Sequence, residues 1–484
     1  MQIFVIQRIL GLFLVMFSLT NVPPMVVAFI YLDGAFVHFF HAAAVTLVTG
    51  LVLWLPVKNY KRDLRKRDGF LIVVLFWVVL CAFGALPLYM FEELNMTLID
   101  AFFESISGLT TTGATVITDI DSLPKSILYY RQQMQWLGGM GIIVLAVAIM
   151  PMLGIGGMQL YRAETPGPMK DNKLTPRITE TAKALWYIYL FLTLLCAFSF
   201  WLAGMTVFDA ICHSFSTIAI GGFSTHDENM GYYNGQTMIE IVAIIFMILA
   251  GINFALHFSA WRSRSIRKYF HDSELKVYLL ILFVVAFVIS IYLMEQHVFV
   301  KSSDDIIHGI FQTVSIATTT GYTTTDYYNW PGFIPVLLLF LSFIGACAGS
   351  TGGGMKVIRF LLLIKQGSRE IRRVIHPNAV IAIKVGGKPL PFSVIDAVWG
   401  FFSAYIASFV IMMLILMFTG LDQVTAFSAV AASMNNLGPG LGDVAKNYAY
   451  ISDTAKLVLS FAMLLGRLEI FTLLVLLMPS FWRN

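Results

Sequence analysis

Charge is what this sequence has least of: of 484 residues only 12% are Asp, Glu, Lys or Arg, while 58% are hydrophobic. That charged fraction is about half of what an ordinary soluble domain carries. A water-soluble globule of this composition would expose more apolar surface than it could keep dispersed. Cysteine is equally scarce. Cys81, Cys196, Cys212 and Cys347 stand singly in apolar stretches, with no spacing suited to a disulfide framework or a zinc site. There is no H-E-x-x-H, G-x-S-x-G or paired-aspartate motif in or near an apolar run, and the nine histidines are scattered, which speaks against an intramembrane enzyme. No apolar run carries arginines at three-residue spacing, which excludes a voltage sensor. The net charge of +4, with Lys and Arg confined to short clusters, excludes a nucleic-acid binder.

What the chain does have is long apolar runs. A bilayer core needs about 20 mostly apolar residues per helix, and ten stretches qualify: 9–31, 37–57, 69–91, 128–151, 184–204, 237–260, 276–295, 333–364, 394–419 and 454–479. The first follows a single Arg8 and lacks a small-x-small cleavage site, so it reads as a span and not as a removed signal peptide. An even number of spans puts both termini on one side. Of the 32 basic residues, 24 fall on one face, 5 on the other (Lys125, Arg131, Lys301, Lys446, Lys456) and 3 inside spans. That asymmetry makes the basic face, with both termini, cytoplasmic. The basic segments 154–183 and 365–388 are long enough to dock a partner, or are simply solvated loops.

Between the spans, on the other side, lie four segments too short to cross and too apolar to be plain loops: Ile99–Val116, Val207–Ser224, Ile306–Thr323 and Val424–Gly440. Aligned on Gly113, Gly222, Gly321 and Gly438 they share a pattern. Twelve positions earlier stands a small residue (Ala101, Ala210, Gly309, Ala426). Eleven earlier stands a bulky apolar one (Phe102, Ile211, Ile310, Phe427), and six earlier another small one (Ser107, Ser216, Ser315, Ala432). The chain therefore reads as a fourfold repeat of span, short half-helix, glycine turn and span after two extra N-terminal spans. Irregular backbone at membrane depth must be buried in protein or line a water-filled cavity. Four such turns around one axis would surround a pore, since glycine adopts the left-handed dihedrals that aim successive carbonyls the same way. A ring of carbonyls can replace the hydration shell of a small monovalent cation, and each dipping helix aims its partly negative C-terminal end at the cavity. The candidate filter residues are Thr111, Thr112 and Gly113; Ile220, Gly221 and Gly222; Thr319, Thr320 and Gly321; Asn436, Leu437 and Gly438. Asp119, Asp227, Asp326 and Asp443 follow the glycines by five or six positions. They read either as carboxylates at an outer mouth that concentrate cations or as turn residues.

The eighth span is interrupted by Gly345-Ala-Cys-Ala-Gly-Ser-Thr-Gly-Gly-Gly-Met-Lys356. Its glycines cost about 1 kcal/mol each against alanine in a helix, so the stretch breaks into a loop at membrane depth. It reads as a movable gate built on Gly345, Gly349, Gly352, Gly353 and Gly354, the alternative being a kinked, closely packed helix. Lys356 at its end counts with the gate residues, the alternative being that it simply snorkels. The tenth span carries Arg467 and Glu469. An intramembrane charge normally faces a partner or a water-filled cavity, so Arg467 is expected beneath the glycine ring, as a barrier or as one half of a structural pair.

The four stretches Leu109-Thr-Thr-Thr-Gly-Ala-Thr115, Ala219-Ile-Gly-Gly-Phe-Ser224, Ala317-Thr-Thr-Thr-Gly-Tyr-Thr323 and Asn435-Asn-Leu-Gly-Pro-Gly440 together resemble the TrkH branch of the Trk/Ktr/HKT superfamily of potassium uptake proteins, over essentially the whole chain. The resemblance implies an all-α polytopic fold of two N-terminal helices (1–60) and four pore repeats (61–155, 180–265, 274–390 with the intramembrane loop, 391–484). It implies potassium as the transported ion at the filter residues, an ion channel or transporter in the cell inner membrane, and a homodimer with one pore per subunit. It assigns the loop and Arg467 to the gate, and it implies a TrkA-like cytoplasmic ring of RCK nucleotide-binding subunits, with any nucleotide on that partner. Relatives that prefer sodium often carry serine at the position of Gly113. A proton- or sodium-coupled symporter is the alternative, for which His213 in the second short helix is the one tempting coupling residue.

Overall fold

The structure is a computed structural model of the chain and describes residues 2–60, 66–141 and 178–483. Apart from one antiparallel ribbon, Lys384–Val385 with Lys388–Pro389, the regular elements among these residues are helical. Six helices are individually long and apolar enough to cross a bilayer: Ile3–Tyr31, Phe36–Val57, Arg67–Met90, Lys183–Leu202, Ser273–Glu295 and Phe392–Phe418. Large apolar side chains such as Phe191, Leu194, Leu280, Phe283 and Phe287 are exposed on them, whereas Glu104, Arg131, Gln135, His213 and Gln312 are buried. Apolar outside and polar inside suits a lipid solvent. The two N-terminal spans cross at Gly11 and Gly50, where a β-carbon on either would press into the other helix's backbone. Such small-residue crossings are how helices approach closely in membranes.

The remaining expected spans are interrupted, and three of these interruptions depart from the sequence reading. The sixth is two helices, Thr237–Ala250 and Phe254–Ser263, set at 90°. A β-carbon on Gly251 would collide with the Tyr278 hydroxyl, and Asn253 starts the second helix by accepting the Ala255 N–H at 2.8 Å. The tenth turns by 119° after Arg467, where Gly466 lies against the Met434 carbonyl with no room for a side chain. The fourth runs from Lys125 to Trp136 and passes into a π-turn, Leu137–Gly141. The rest of that span, expected to 151, lies outside the described residues, as do 154–177, Lys61, Arg62, Arg65 and the side chain of Glu469. The eighth breaks as expected, between Ile334–Ile344 and Val357–Ile375.

Four short helices lie between the spans: Leu98–Leu109, Val207–Ala219, Ser302–Thr318 and Gln423–Met434. Three have side-chain N-caps. Thr97 and Asp100 form a capping box, Thr206 accepts from Asp209 N–H at 3.1 Å, and Asp422 accepts from Val424 and Thr425 N–H. Each cap satisfies a backbone donor that the helix leaves unpaired. Gly309 rides against Ser290 of the preceding span, where a β-carbon would not fit, which accounts for the small residue at that position of the repeat.

Candidate functional site

All four short helices end in the same backbone motif. The residue two before the key glycine takes left-handed dihedrals: Thr111 and Ile220 at φ +56°, Thr319 at +67° and Asn436 at +52°. The next N–H reaches back to the small residue foreseen at position −6: Thr112 to the Ser107 carbonyl (2.8 Å), Gly221 to Ser216 (2.9 Å), Thr320 to Ser315 (2.8 Å) and Leu437 to Ala432 (2.7 Å). This is the Schellman closure of a helix C-terminus, in which glycine usually holds the left-handed position. Here Thr, Ile and Asn hold it, at a steric cost of about 1–2 kcal/mol per residue.

The glycines themselves have φ of +84° (Gly113), +81° (Gly222), +80° (Gly321) and +98° (Gly438). Their surroundings close a ring. A β-carbon on Gly113 would fall within 3.0 Å of the Gly221 carbonyl oxygen, one on Gly222 within 3.0 Å of Thr320 O, one on Gly321 of Leu437 O, and one on Gly438 of Thr112 O. Each repeat thus lays its glycine against the carbonyl that precedes the next repeat's glycine, one to two to three to four and back to one. The structure brings the twelve candidate filter residues together in this closed ring. Beside it, the Thr110 and Thr112 hydroxyls lie 2.8 Å apart and those of Thr318 and Thr320 2.7 Å apart. Asn436 Nδ2 donates to Thr112 Oγ1 at 3.0 Å, tying the fourth repeat to the first.

Behind the ring lie residues that sequence reasoning missed. Glu104 and Arg131, both fully buried, pair at 2.9 Å. Glu104 accepts from Val116 N–H and Thr115 Oγ1, and Arg131 donates to Thr115 Oγ1 and to the Ser224 carbonyl. Arg131 also lies over the Phe223 ring, 4.3 Å from its centroid. The pair therefore braces the chain just beyond both the first and the second glycine. Arg131, expected on the outer face, is in fact interior. So is Lys456, which is buried against Asp100 at 2.6 Å. Gln135 donates to the Gly221 carbonyl at 2.6 Å and accepts from Phe223 N–H and Ser216 Oγ, so one ring carbonyl is held from behind by a side chain. His213 occupies the place of Glu104 in the second repeat. Its Nδ1 meets the Asp209 carbonyl at 2.9 Å and its Nε2 meets Ser224 Oγ at 3.1 Å, a packed brace with both nitrogens engaged. The sequence signal for Glu104 and His213 is their shared register nine residues before Gly113 and Gly222; Arg131 and Gln135 have no such register.

The four outer aspartates are all exposed, but they divide. Asp227 accepts the N–H groups of Ile120 and Asp121 at 3.0 and 3.1 Å, which is the turn role. Asp326 lies 3.5 Å from Lys446 Nζ, so one of the five cations expected on the outer face shares that rim. Asp119 and Asp443 keep exposed carboxylates. His226 bridges the first two repeats, with Nδ1 2.7 Å from Asp121 and Nε2 3.8 Å from Asp209, its ring stacked on Tyr232. Burial pushes the His226 pKa down, but the two carboxylates outweigh it and raise it above the ordinary value. Burial likewise pushes Asp121 up, and the His226 hydrogen bond with the Asp227 N–H brings it below the usual range.

Beneath the ring runs the loop 345–356. Gly353 N–H donates to Thr319 Oγ1 at 2.7 Å, Gly354 N–H to the Asn435 carbonyl at 3.0 Å, and Thr351 Oγ1 to the Ile218 carbonyl at 2.9 Å. These reach the third, fourth and second repeats. Gly345 and Gly349, at φ +70° and +75°, meet Gly353 O and Asn253, and Gly352 meets the Thr318 carbonyl, each with no room for a β-carbon. Lys356 does not snorkel: it is buried and donates to the Gly352 carbonyl within the loop. Arg467 completes the set, donating to Thr111 Oγ1 (3.2 Å), the Thr351 carbonyl (3.3 Å) and the Gly138 and Gly139 carbonyls. One arginine thus touches the first repeat's turn, its π-turn and the loop. Loop and arginine together contact all four repeats.

A pseudo-fourfold ring of re-entrant turns inside a bundle of apolar helices defines a membrane transport protein for small ions. Comparison with known proteins makes this specific. The family model for TrkH, described as "Cation transport protein", matches residues 36–483. Across the full length of both chains the protein is 58% identical to the Trk system potassium uptake protein TrkH of Vibrio parahaemolyticus serotype O3:K6. It is 54% identical to TrkH of Escherichia coli strain K12 and 43% identical to TrkG of the same strain, with 99% of each chain covered. The crystal structure of the potassium transporter TrkH from Vibrio parahaemolyticus superposes with a TM-score of 0.91 at 56% identity, covering all of both chains. The chain belongs to the TrkH family of cation transport proteins, and it is a transporter, not an enzyme.

Proposed function

We propose that the protein carries potassium inward across the cell's inner membrane through the ring formed at Gly113, Gly222, Gly321 and Gly438. The observation that carries this reading is the closed succession of glycine against carbonyl from repeat to repeat. Preorganised carbonyl dipoles facing one axis substitute for water around a monovalent cation. The partly negative C-terminal ends of four short helices add to the attraction. The relatives named above are potassium uptake proteins, and Gly113 in the first turn fits a potassium preference over sodium.

The loop 345–356 and Arg467 form the gate in this reading. The loop occupies the underside of the second, third and fourth turns, and Arg467 adds fixed positive charge below the first, which opposes cation passage. The repeats extend over 61–155, 180–265, 274–390 and 391–484, after two accessory helices in 1–60. The working unit is a homodimer with both termini cytoplasmic, and the basic cytoplasmic segments dock a TrkA-like nucleotide-binding ring. Potassium is the cargo, and any nucleotide sits on the partner.

The decisive experiment is reconstitution in liposomes under an imposed potassium gradient. Flux of potassium or rubidium exceeding that of sodium, and abolished by a β-carbon at Gly321, supports the reading. Equal sodium flux would overturn the assigned selectivity. Electroneutral uptake that requires a proton gradient would favour the coupled-symport alternative.

A further inference from the structure

The loop beneath the ring is pinned from an unexpected side. A single carboxylate oxygen, Glu274 Oε1, accepts the Ala348 N–H at 2.7 Å and the Ile358 N–H at 3.2 Å. These two donors bracket most of the loop, one near its start and one just past its end. Glu274 stands in the first turn of helix Ser273–Glu295, whose N-cap is Asp272, accepting the Leu275 N–H. The loop is also bonded to the break in the sixth span, where Cys347 N–H donates to the Gly251 carbonyl and Phe254 N–H to the Gly349 carbonyl, both at 3.0 Å. Those two contact points, Gly251–Phe254 and Glu274, are joined by one short stretch of chain. That stretch consists of helix Phe254–Ser263, helix Arg267–His271 and Asp272, and it carries Arg262, Arg264, Arg267 and Lys268.

We infer that Glu274 is the latch of the intramembrane loop, and that the basic linker 254–272 is the lever that sets it. The inference rests on the loop being the gate. One oxygen satisfies two backbone N–H groups, each of which would cost about 1–3 kcal/mol if left buried without an acceptor. Those bonds leave both ends of the loop fixed to one turn of helix. Because the linker reaches the loop at its start and ends at the latch, a shift of the linker displaces both anchors together.

The test is unidirectional potassium flux in liposomes for Glu274→Ala, Glu274→Gln and Arg467→Ala, with hydrogen exchange of the peptide spanning 345–358 in the same preparations. Glu274→Ala is expected to raise basal flux at least about tenfold, since two buried N–H donors lose their acceptor, and to speed exchange at Ala348 and Ile358. Glu274→Gln keeps an oxygen acceptor and is expected to restore flux and exchange to near the native values. If Glu274→Ala does not reach the membrane, Glu274→Asp replaces it, because its shorter reach cannot span both donors. Unchanged flux in the Glu274 variants while Arg467→Ala leaks would overturn the latch and leave the gate standing. Unchanged flux in all of them would overturn the gate reading itself.

Discussion

The outer and inner halves of the four repeats obey different rules. At the ring, three different sequences, Thr-Thr-Gly (twice), Ile-Gly-Gly and Asn-Leu-Gly, converge on one backbone, with left-handed dihedrals at the same two positions and the same reach-back bond. A few ångströms inside, the four following helices diverge. One has a π-turn, one a 90° break, one a twelve-residue loop and one a sharp turn behind Arg467. A site that replaces a hydration shell needs equivalent oxygens from every side, whereas a barrier needs only enough material to block one path. In the proposed function, symmetry persists where the cargo is recognised and is abandoned where passage is controlled.

The comparison is broken most severely by adding a β-carbon within the ring. Gly321→Ala is expected to abolish uptake, because the new carbon meets the Leu437 carbonyl at a left-handed φ. Gly235→Ala is the control: it has a similar φ of +88° but nothing within 4 Å, so it is expected to keep uptake and cost only about 1 kcal/mol of stability. Growth of an uptake-deficient strain on low potassium, with thermal melts of the purified proteins, separates the two.

Next in size is the brace behind the ring. Breaking a buried ion pair by removing one partner costs about 3–5 kcal/mol, so Arg131→Met and Glu104→Gln should each lower stability sharply and loosen discrimination against sodium. The double variant should be less damaged than the sum of the two. Strict additivity in a denaturation cycle would show that the pair is not coupled.

In the inner half, Arg467→Ala is expected to raise flux about tenfold, equivalent to roughly 1.4 kcal/mol off the barrier. A collapse of flux with normal membrane delivery would assign Arg467 to structure alone.

The smallest expected effect lies at the outer rim. Because the His226 pKa is raised in the folded protein, its ion pairs stabilise the loops fully below the ordinary histidine value of about 6.5. That contribution is lost as pH rises through the elevated folded value. Hydrogen-exchange protection in 115–121 and 224–233, corrected for the intrinsic pH dependence of exchange, should therefore fall as pH rises through that value. Asp121→Asn should weaken that pH dependence, with Asp209 sustaining the remainder, and an unchanged profile would detach the Asp121–His226 pair from the loop clamp.

Much of the ring was legible in the chain because its determinants are local. The small residue at −6 receives a backbone bond from the same turn, and the glycine at position 0 answers to its own φ, so both recur at fixed spacing. The break at 345–356 was legible for the same reason, glycine density. The breaks after Ala250 and Arg467 were not. Each rests on a single glycine packed against a distant group, Tyr278 or Met434, and one glycine in an apolar run does not announce a neighbour. Lys356 was misplaced because snorkelling is the default for a terminal lysine, and only the folded loop offers it the Gly352 carbonyl. Arg131 and Lys456 counted as outer charges until their partners, Glu104 and Asp100, came within reach.

The sequence by itself determined that the chain lies in a membrane, that most of its basic residues gather on one face, and that four glycine turns repeat, because hydropathy, charge placement and backbone dihedrals are properties of short segments. The tertiary structure alone decided that the four turns close on one another, that a buried ion pair braces two of them, and that Arg467, the loop and Glu274 meet beneath them. Those facts depend on which distant side chains share a low-dielectric interior, where a charge or a carbonyl must find its partner across the fold.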